Sequence, residues 1–151
     1  MRRDGYEIRR TIEADPDLVF GLLADAPSWS SWARPLIMTS RWSKDGVAGG
    51  VGAVRITGMW PFLIREEITE QERPSRLSYR YIGRLIPVKD YQATIALEPV
   101  ADGTTGLTWS ASFTTAVPGP GVRWGIEATV RLLIALLVRE ATRSERSSTG
   151  T

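Results

Sequence analysis

The sequence contains no cysteine and no histidine. Without thiols there can be no disulfides, zinc-thiolate sites, iron–sulfur clusters or thiol nucleophile. Without imidazole the chain lacks the usual neutral-pH general base, the base of a serine triad and the commonest metal ligand. Any catalysis would rest on Asp, Glu, Tyr, Lys, Arg or bound water, and no metal or other cofactor is expected. Lysine is nearly absent as well, with Lys44 and Lys89 alone, so the positive charge is carried by dispersed arginines and the net charge is only +2. With no basic stripe and no reading motif, a nucleic-acid partner is not expected. Long apolar runs are also missing. The longest, Leu132 to Val138, has seven residues, against about 20 needed to cross a bilayer, so no transmembrane segment is expected. Met1-Arg2-Arg3-Asp4-Gly5-Tyr6 runs straight into alternating sequence with no apolar core of a signal peptide, and a cytoplasmic location is expected. Gly49-Gly50-Val51-Gly52 lacks the helix and lysine of a phosphate-binding loop and reads as a turn or bulge entering a strand.

What remains is ordinary globular material. With 42% hydrophobic and 24% charged residues in a chain of 151, disorder is excluded for most of the length. A chain this size buries roughly 70% of its unfolded surface, enough for a core with an internal cavity. One domain is expected over residues 1–142, followed by a polar, flexible tail over 143–151.

Tyr6, Ile8, Arg10 and Ile12 alternate with charged residues, the pattern of a half-buried strand. Asp15-Pro16-Asp17 then offers an N-cap aspartate and a proline at the first helical position, followed by Leu18, Val19, Leu22 and Leu23 at helical spacing. Asp25-Ala26-Pro27 ends that helix, and Ser28-Trp29-Ser30-Ser31-Trp32 starts a second short one that stops before Pro35. From Leu36 to Thr115, turn signals recur at Lys44-Asp45-Gly46, Gly58 to Pro61, Arg73-Pro74-Ser75, Gly83 to Pro87 and Ala101-Asp102-Gly103. They predict six further strands, antiparallel because the connections are too short for crossovers. In the last two, Tyr91, Ala93, Ile95 and Leu97, and likewise Leu107, Trp109, Ala111 and Phe113, form apolar faces opposite hydroxyl-rich ones. After Val117-Pro118-Gly119-Pro120-Gly121, a helix is predicted from Val122 to about Arg143, with Ile126, Val130, Leu133, Leu137 and Ala141 as its apolar stripe and a Glu127–Arg131 pair on another face.

This order of elements resembles the START-like (SRPBCC) superfamily. Ala14-Asp15-Pro16-Asp17-Leu18-Val19-Phe20, Trp29-Ser30-Ser31-Trp32, Gly52-Ala53-Val54-Arg55, Glu66-Glu67-Ile68-Thr69-Glu70, Arg76-Leu77-Ser78-Tyr79, Leu85-Ile86-Pro87-Val88-Lys89-Asp90-Tyr91 and Thr108-Trp109 resemble its bacterial polyketide cyclase/dehydrase-like branch. The resemblance implies an α+β helix-grip fold, a curved antiparallel seven-stranded sheet around a long C-terminal helix, with a deep cavity between them for an apolar ligand. Only some members of that superfamily are enzymes, so the resemblance does not decide the chemistry.

Candidate site residues follow from strand parity. Tyr79, Tyr81, Tyr91 and Trp109 fall on apolar faces, where their polar groups would either orient a ligand or bond to the backbone as core aromatics. Glu66 shares a face with Ile64 and Ile68, so a carboxylate would enter an apolar interior and require a cation or a raised pKa. Arg55, on the strand joined to it by the Gly58–Pro61 turn, is the natural partner. Either the two are a structural ion pair, or Arg55 lies on the wet face with Val54 and Ile56 inward, or the pair lines the cavity. In the last case Arg55 would bind a carboxylate or enolate oxygen and Glu66 would move a proton. Trp29 and Trp32 read as packing residues, and Trp60 and Trp124, beside flexible breaks, as entrance residues in contact with ligand. The run from Leu132 to Val138 is either buried or meets another subunit, as in a homodimer, or a membrane surface.

Three functions are compatible with these residues. The first is binding of a small hydrophobic molecule, lipid or polyketide-like, with no cofactor. The second is a cyclase, aromatase or dehydratase that uses the same cavity. The third is a membrane- or partner-associated lipid-handling protein.

Overall fold

A computed structural model of the protein describes residues 2–44 and 46–149. Seven strands form one antiparallel sheet: β1 (Arg2–Ile12), β2 (Thr39–Trp42), β3 (Val54–Met59), β4 (Phe62–Glu72), β5 (Arg76–Tyr81), β6 (Lys89–Ala101) and β7 (Thr104–Thr115). Between β1 and β2 lie α1 (Pro16–Ala24), a 3₁₀ turn (Ala26–Ser28) and α2 (Trp29–Trp32), and the chain ends in α3 (Gly121–Thr149). This is the expected helix-grip architecture. Of the expected turns, the one at Lys44 to Gly46 includes Asp45, which lies outside the described residues.

The sheet order is β1-β7-β6-β5-β4-β3-β2. β2 to β7 are therefore a meander of neighbours, as their short connections require. The exception is β1, which pairs along its whole length with the last strand, Ile8 facing Trp109 and Tyr6 facing Ala111. A register shift between Ile68 and Glu70 interrupts the β4–β5 ladder; such bulges bend a sheet and give it a concave side. At the β3–β4 hairpin Gly58 has φ +136°, and a Cβ there would collide with the Phe62 carbonyl oxygen, so only glycine fits.

The concave side carries the core. Ile8, Ile12, Ile68, Leu77, Tyr79, Tyr91, Ile95, Trp109 and Phe113 are all buried, and together with α1 and α2 they meet one stripe of α3: Val130, Leu133, Ile134, Leu137 and Ala141. The apolar run on α3 is thus mostly turned inward, with Leu132 as its exposed large side chain.

Two local expectations are corrected. Asp15 occupies the N-cap position of α1, but its side chain makes no capping hydrogen bond; Pro16 at the first helical position supplies the start signal. The helix expected to stop near Arg143 instead continues to Thr149, through the segment expected to be a tail. Arg143 reaches back one turn to Glu140 Oε1 at 2.7 Å, and arginine and glutamate are good helix formers that need no apolar face to continue a helix. Gly150 and Thr151, the rest of that expected tail, lie outside the described residues.

Candidate functional site

Between the concave sheet and α3 lies a cavity of about 530 Å³, within the range of small-molecule sites. Its floor is buried: Trp109 at the centre of β7, Tyr79 on β5 and Tyr91 at the start of β6. From α3 it takes Val122, Gly125, Ile126, Thr129, Val130 and Leu133, a run of helical spacings that presents one face. Toward solvent it is bounded by Met59 and Phe62 of the β3–β4 hairpin and by Leu85 to Pro87 of the β5–β6 loop. Phe62, Met59 and Leu85 are exposed, which locates the mouth.

Arg55 and Glu66 supply the charge in this apolar space. They face each other in the β3–β4 register, and Arg55 Nε donates to Glu66 Oε1 at 3.0 Å. Both line the cavity, so of the alternatives open in the sequence the wet-face placement of Arg55 is excluded. The Arg55 side chain is only 1% exposed. Its guanidinium carbon lies 4.4 Å from the ring centroid of Trp29 and 4.4 Å from that of Tyr79, where two π faces offset part of the cost of burying the cation. Nη1 and Nη2 are buried and have no hydrogen-bond partner among the described residues. An unsatisfied buried donor is costly, and the residue that carries these two lines the cavity.

A cluster of phenols lies beside the pair. Tyr6 and Tyr91 share a hydrogen bond between their hydroxyls, and Tyr79 Oη accepts from Trp109 Nε1 at 3.2 Å. Tyr91 stacks on Phe113, and Tyr79 meets Trp109 edge-on. Burial above all, and then the neighbouring phenols and the Glu66 carboxylate, push all three hydroxyls well above the ordinary phenol range. They stay protonated at any physiological pH.

Of the sequence-predicted site residues, Arg55, Glu66, Tyr79, Tyr81, Tyr91 and Trp109 all line the one cavity. Tyr81 is held at its rim, where its Oη accepts from the backbone N–H groups of Leu85 and Ile86 at 2.7 and 3.1 Å and so braces the β5–β6 loop. Trp60 and Trp124 do not line the cavity and are 78% and 60% exposed. Trp60 occupies the hairpin tip, and Trp124 lies off the helical face marked by Val122, Gly125 and Ile126. Sequence reasoning missed Trp29, read as packing, which is both buried and part of the cavity wall. It also missed Tyr6, because only the pairing of β1 with β7 carries that residue to Tyr91. The β1 alternation marked Tyr6 as inward, yet nothing in it named the partner.

Solved structures share this fold. A protein from Nitrosospira multiformis superposes with a TM-score of 0.77 at 22% identity, over 95% of this chain and 99% of that one. XoxI from Bacillus cereus gives 0.76 at 20% identity, over 91% and 95%. Ara h 8.0201 gives 0.78 at 16% identity, over 94% and 99%. At such identities the likeness is one of fold. Comparison with curated proteins returns no match. Residues 5–144 match the family described as "Polyketide cyclase / dehydrase and lipid transport". Covering nearly the whole chain and agreeing with the helix-grip fold, that match places the protein in this family of the START-like superfamily.

Proposed function

We propose that the protein binds a small, largely apolar molecule inside the cavity and holds it through carbonyl oxygens presented to Arg55. Membership in a family described by polyketide cyclisation, dehydration and lipid transport supports hydrophobic ligands in general. The observation that carries the finer reading is Arg55, a residue of the largely apolar cavity wall whose buried Nη atoms have no hydrogen-bond partner among the described residues.

Charge selects among acceptors. Glu66 already neutralises Arg55, so the pair has no net charge. A carboxylate ligand would leave one uncompensated negative charge in a low-dielectric site, which is unfavourable. A ketone, ester or quinone oxygen would accept from Nη1 or Nη2 without that cost. The protonated phenols add neutral donors nearby, so an acceptor-rich ligand fits this end of the cavity and an apolar body fits the rest.

A second reading is favoured by the convergence of Glu66, Arg55, Tyr79 and Tyr91 on one cavity. A bound 1,3-dicarbonyl chain would have enolate charge developing against the Arg55 guanidinium while Glu66 takes or returns a proton. These are the parts of a cyclisation or dehydration.

The test is native mass spectrometry of gently purified protein, followed by denaturing extraction. A discrete apolar, carbonyl-bearing mass at near-stoichiometric occupancy supports the binding reading. Reproducibly empty protein that also fails to bind the apolar dye N-phenyl-1-naphthylamine overturns it. Turnover of a polyketide-like substrate that is lost in Glu66→Gln with binding retained would establish the enzyme.

A further inference from the structure

The two tyrosines that pair through their hydroxyls occupy different places. Tyr91 lines the cavity, whereas Tyr6 is buried but does not line it. Tyr79 lines the cavity beside Tyr91, with the two ring centres 6.4 Å apart. The register of four strands puts Tyr6, Ala111, Ala93 and Tyr79 in one row across the sheet. Two alanines between the tyrosines leave room over the sheet for phenol rings. After burial, Tyr91 is the main influence that raises the Tyr79 hydroxyl, so the two phenols stand close.

A phenol carries one proton and can accept two hydrogen bonds, whereas an indole can only donate. Trp109 Nε1 donates to Tyr79 Oη, so the Tyr79 proton has to point away from Trp109. Between Tyr6 and Tyr91 one of two protons is used. The unused one belongs to Tyr6 if Tyr91 donates. It is then stranded on a buried residue outside the cavity, whose hydroxyl has Tyr91 as its hydrogen-bond partner among the described residues. The α3 carboxylate Glu127 faces Arg123 and Arg131 at 3.7 and 3.5 Å instead. A buried donor without an acceptor is costly. If Tyr6 donates, the unused protons are those of Tyr79 and Tyr91, both on the cavity wall, where a single ligand oxygen satisfies them.

We propose that Tyr6 is a positioning residue: by donating to Tyr91 it frees the Tyr91 proton, so that Tyr79 and Tyr91 together donate to one oxygen of the ligand. The Tyr6 hydrogen bond also polarises the Tyr91 hydroxyl and strengthens its donation, as the Trp109 hydrogen bond does for Tyr79. The subsite is neutral and selects a ketone, ester or quinone oxygen over a carbon of the same shape. The inference rests on the ligand-binding reading above and deepens it, adding to Arg55 the phenols that share its end of the cavity.

The experiment measures the affinities of 9-fluorenone and of fluorene, which differ by the carbonyl oxygen, for wild type, Tyr6→Phe, Tyr91→Phe and the double variant. A merely structural loss weakens both probes alike, so the ratio of affinities isolates the oxygen. Wild type is expected to prefer the ketone. Tyr6→Phe should lower that preference about threefold, and Tyr91→Phe about fivefold or more. The double variant should lose no more than Tyr91→Phe, because Tyr6 acts through Tyr91. In the infrared, the carbonyl stretch of bound fluorenone should rise in frequency in each variant as its hydrogen bonds weaken. A wild type without ketone preference, or a preference unchanged in Tyr6→Phe, overturns the proposal. So does a preference that rises, which would show that Tyr91 donates to Tyr6 and is released by the substitution. Equal weakening of both probes in Tyr6→Phe, or a further loss of preference in the double variant, overturns it as well. Failure of wild type to bind either probe would instead count against the ligand-binding reading itself, and this inference would fall with it.

Discussion

Arg55 and Glu66 stand opposite each other across the β3–β4 ladder, with Nε 3.0 Å from Oε1, and this one pairing gives the apolar cavity its polar end. Removing one partner of such a pair leaves the other charge stranded, whereas removing both together does not. Arg55→Met is therefore expected to lower unfolding stability by about 3 kcal/mol. Arg55→Met combined with Glu66→Gln should recover much of that loss, and urea denaturation of the three proteins measures the difference. A double variant as unstable as Arg55→Met would show that the guanidinium acts through its packing between Trp29 and Tyr79 rather than through the charge pair.

Filling the cavity separates binding from folding. Ile64 is half-buried and lines it, so Ile64→Trp places the added ring in free volume. Dye affinity is expected to fall more than about tenfold, with a stability change under about 1.5 kcal/mol. Dye titration and thermal melting of the same sample check both. Unchanged affinity would place the dye elsewhere on the protein.

The phenol cluster predicts an alkaline limit to stability. Tyr6, Tyr79 and Tyr91 have hydroxyls raised above the ordinary value of 10.0, first by burial. The folded state therefore holds these protons more tightly than the unfolded state. Their contribution is complete below the unfolded value and is lost as pH rises past it. Stability should be level up to about pH 9 and fall steeply above about pH 10. Tyr6→Phe should reduce the slope, as denaturation at a series of pH values would reveal. An identical slope in that variant would assign the alkaline loss to other groups.

Gly58→Ala tests the hairpin at the mouth. The position combines φ +136° with no room for a Cβ against the Phe62 carbonyl. A loss well above about 1 kcal/mol is expected, with weaker dye binding because Met59 and Phe62 would shift. Gly125→Ala has open space around the new methyl and provides a helical control that should be neutral or slightly stabilising.

Much of this molecule is legible one residue at a time. Alternation in β6 and β7 marked the inward faces of Tyr91 and Trp109 correctly, and Pro16, the turn signals and the stripe on α3 set the order of elements. Parity alone put Glu66 on the same face as Ile64 and Ile68, and the short hairpin made Arg55 its neighbour. Such features are local: periods of 2 and 3.6 and the φ preferences of proline and glycine act within a few residues. What lay beyond them required contacts distant along the chain. The pairing of β1 with β7 brought Tyr6 to Tyr91, residues 85 positions apart. The fold turned Trp29 onto Arg55, and it left Trp60 and Trp124 outside a cavity that their neighbours line. Composition and periodicity by themselves determined the order of a strand, two short helices, an antiparallel meander and a long closing helix, and put Glu66 on the face of Ile64 and Ile68. Only the tertiary structure decided which donors of the Arg55–Glu66 pair remain unpartnered and where the cavity opens, because burial and hydrogen-bond satisfaction belong to the assembled surfaces and not to any single segment.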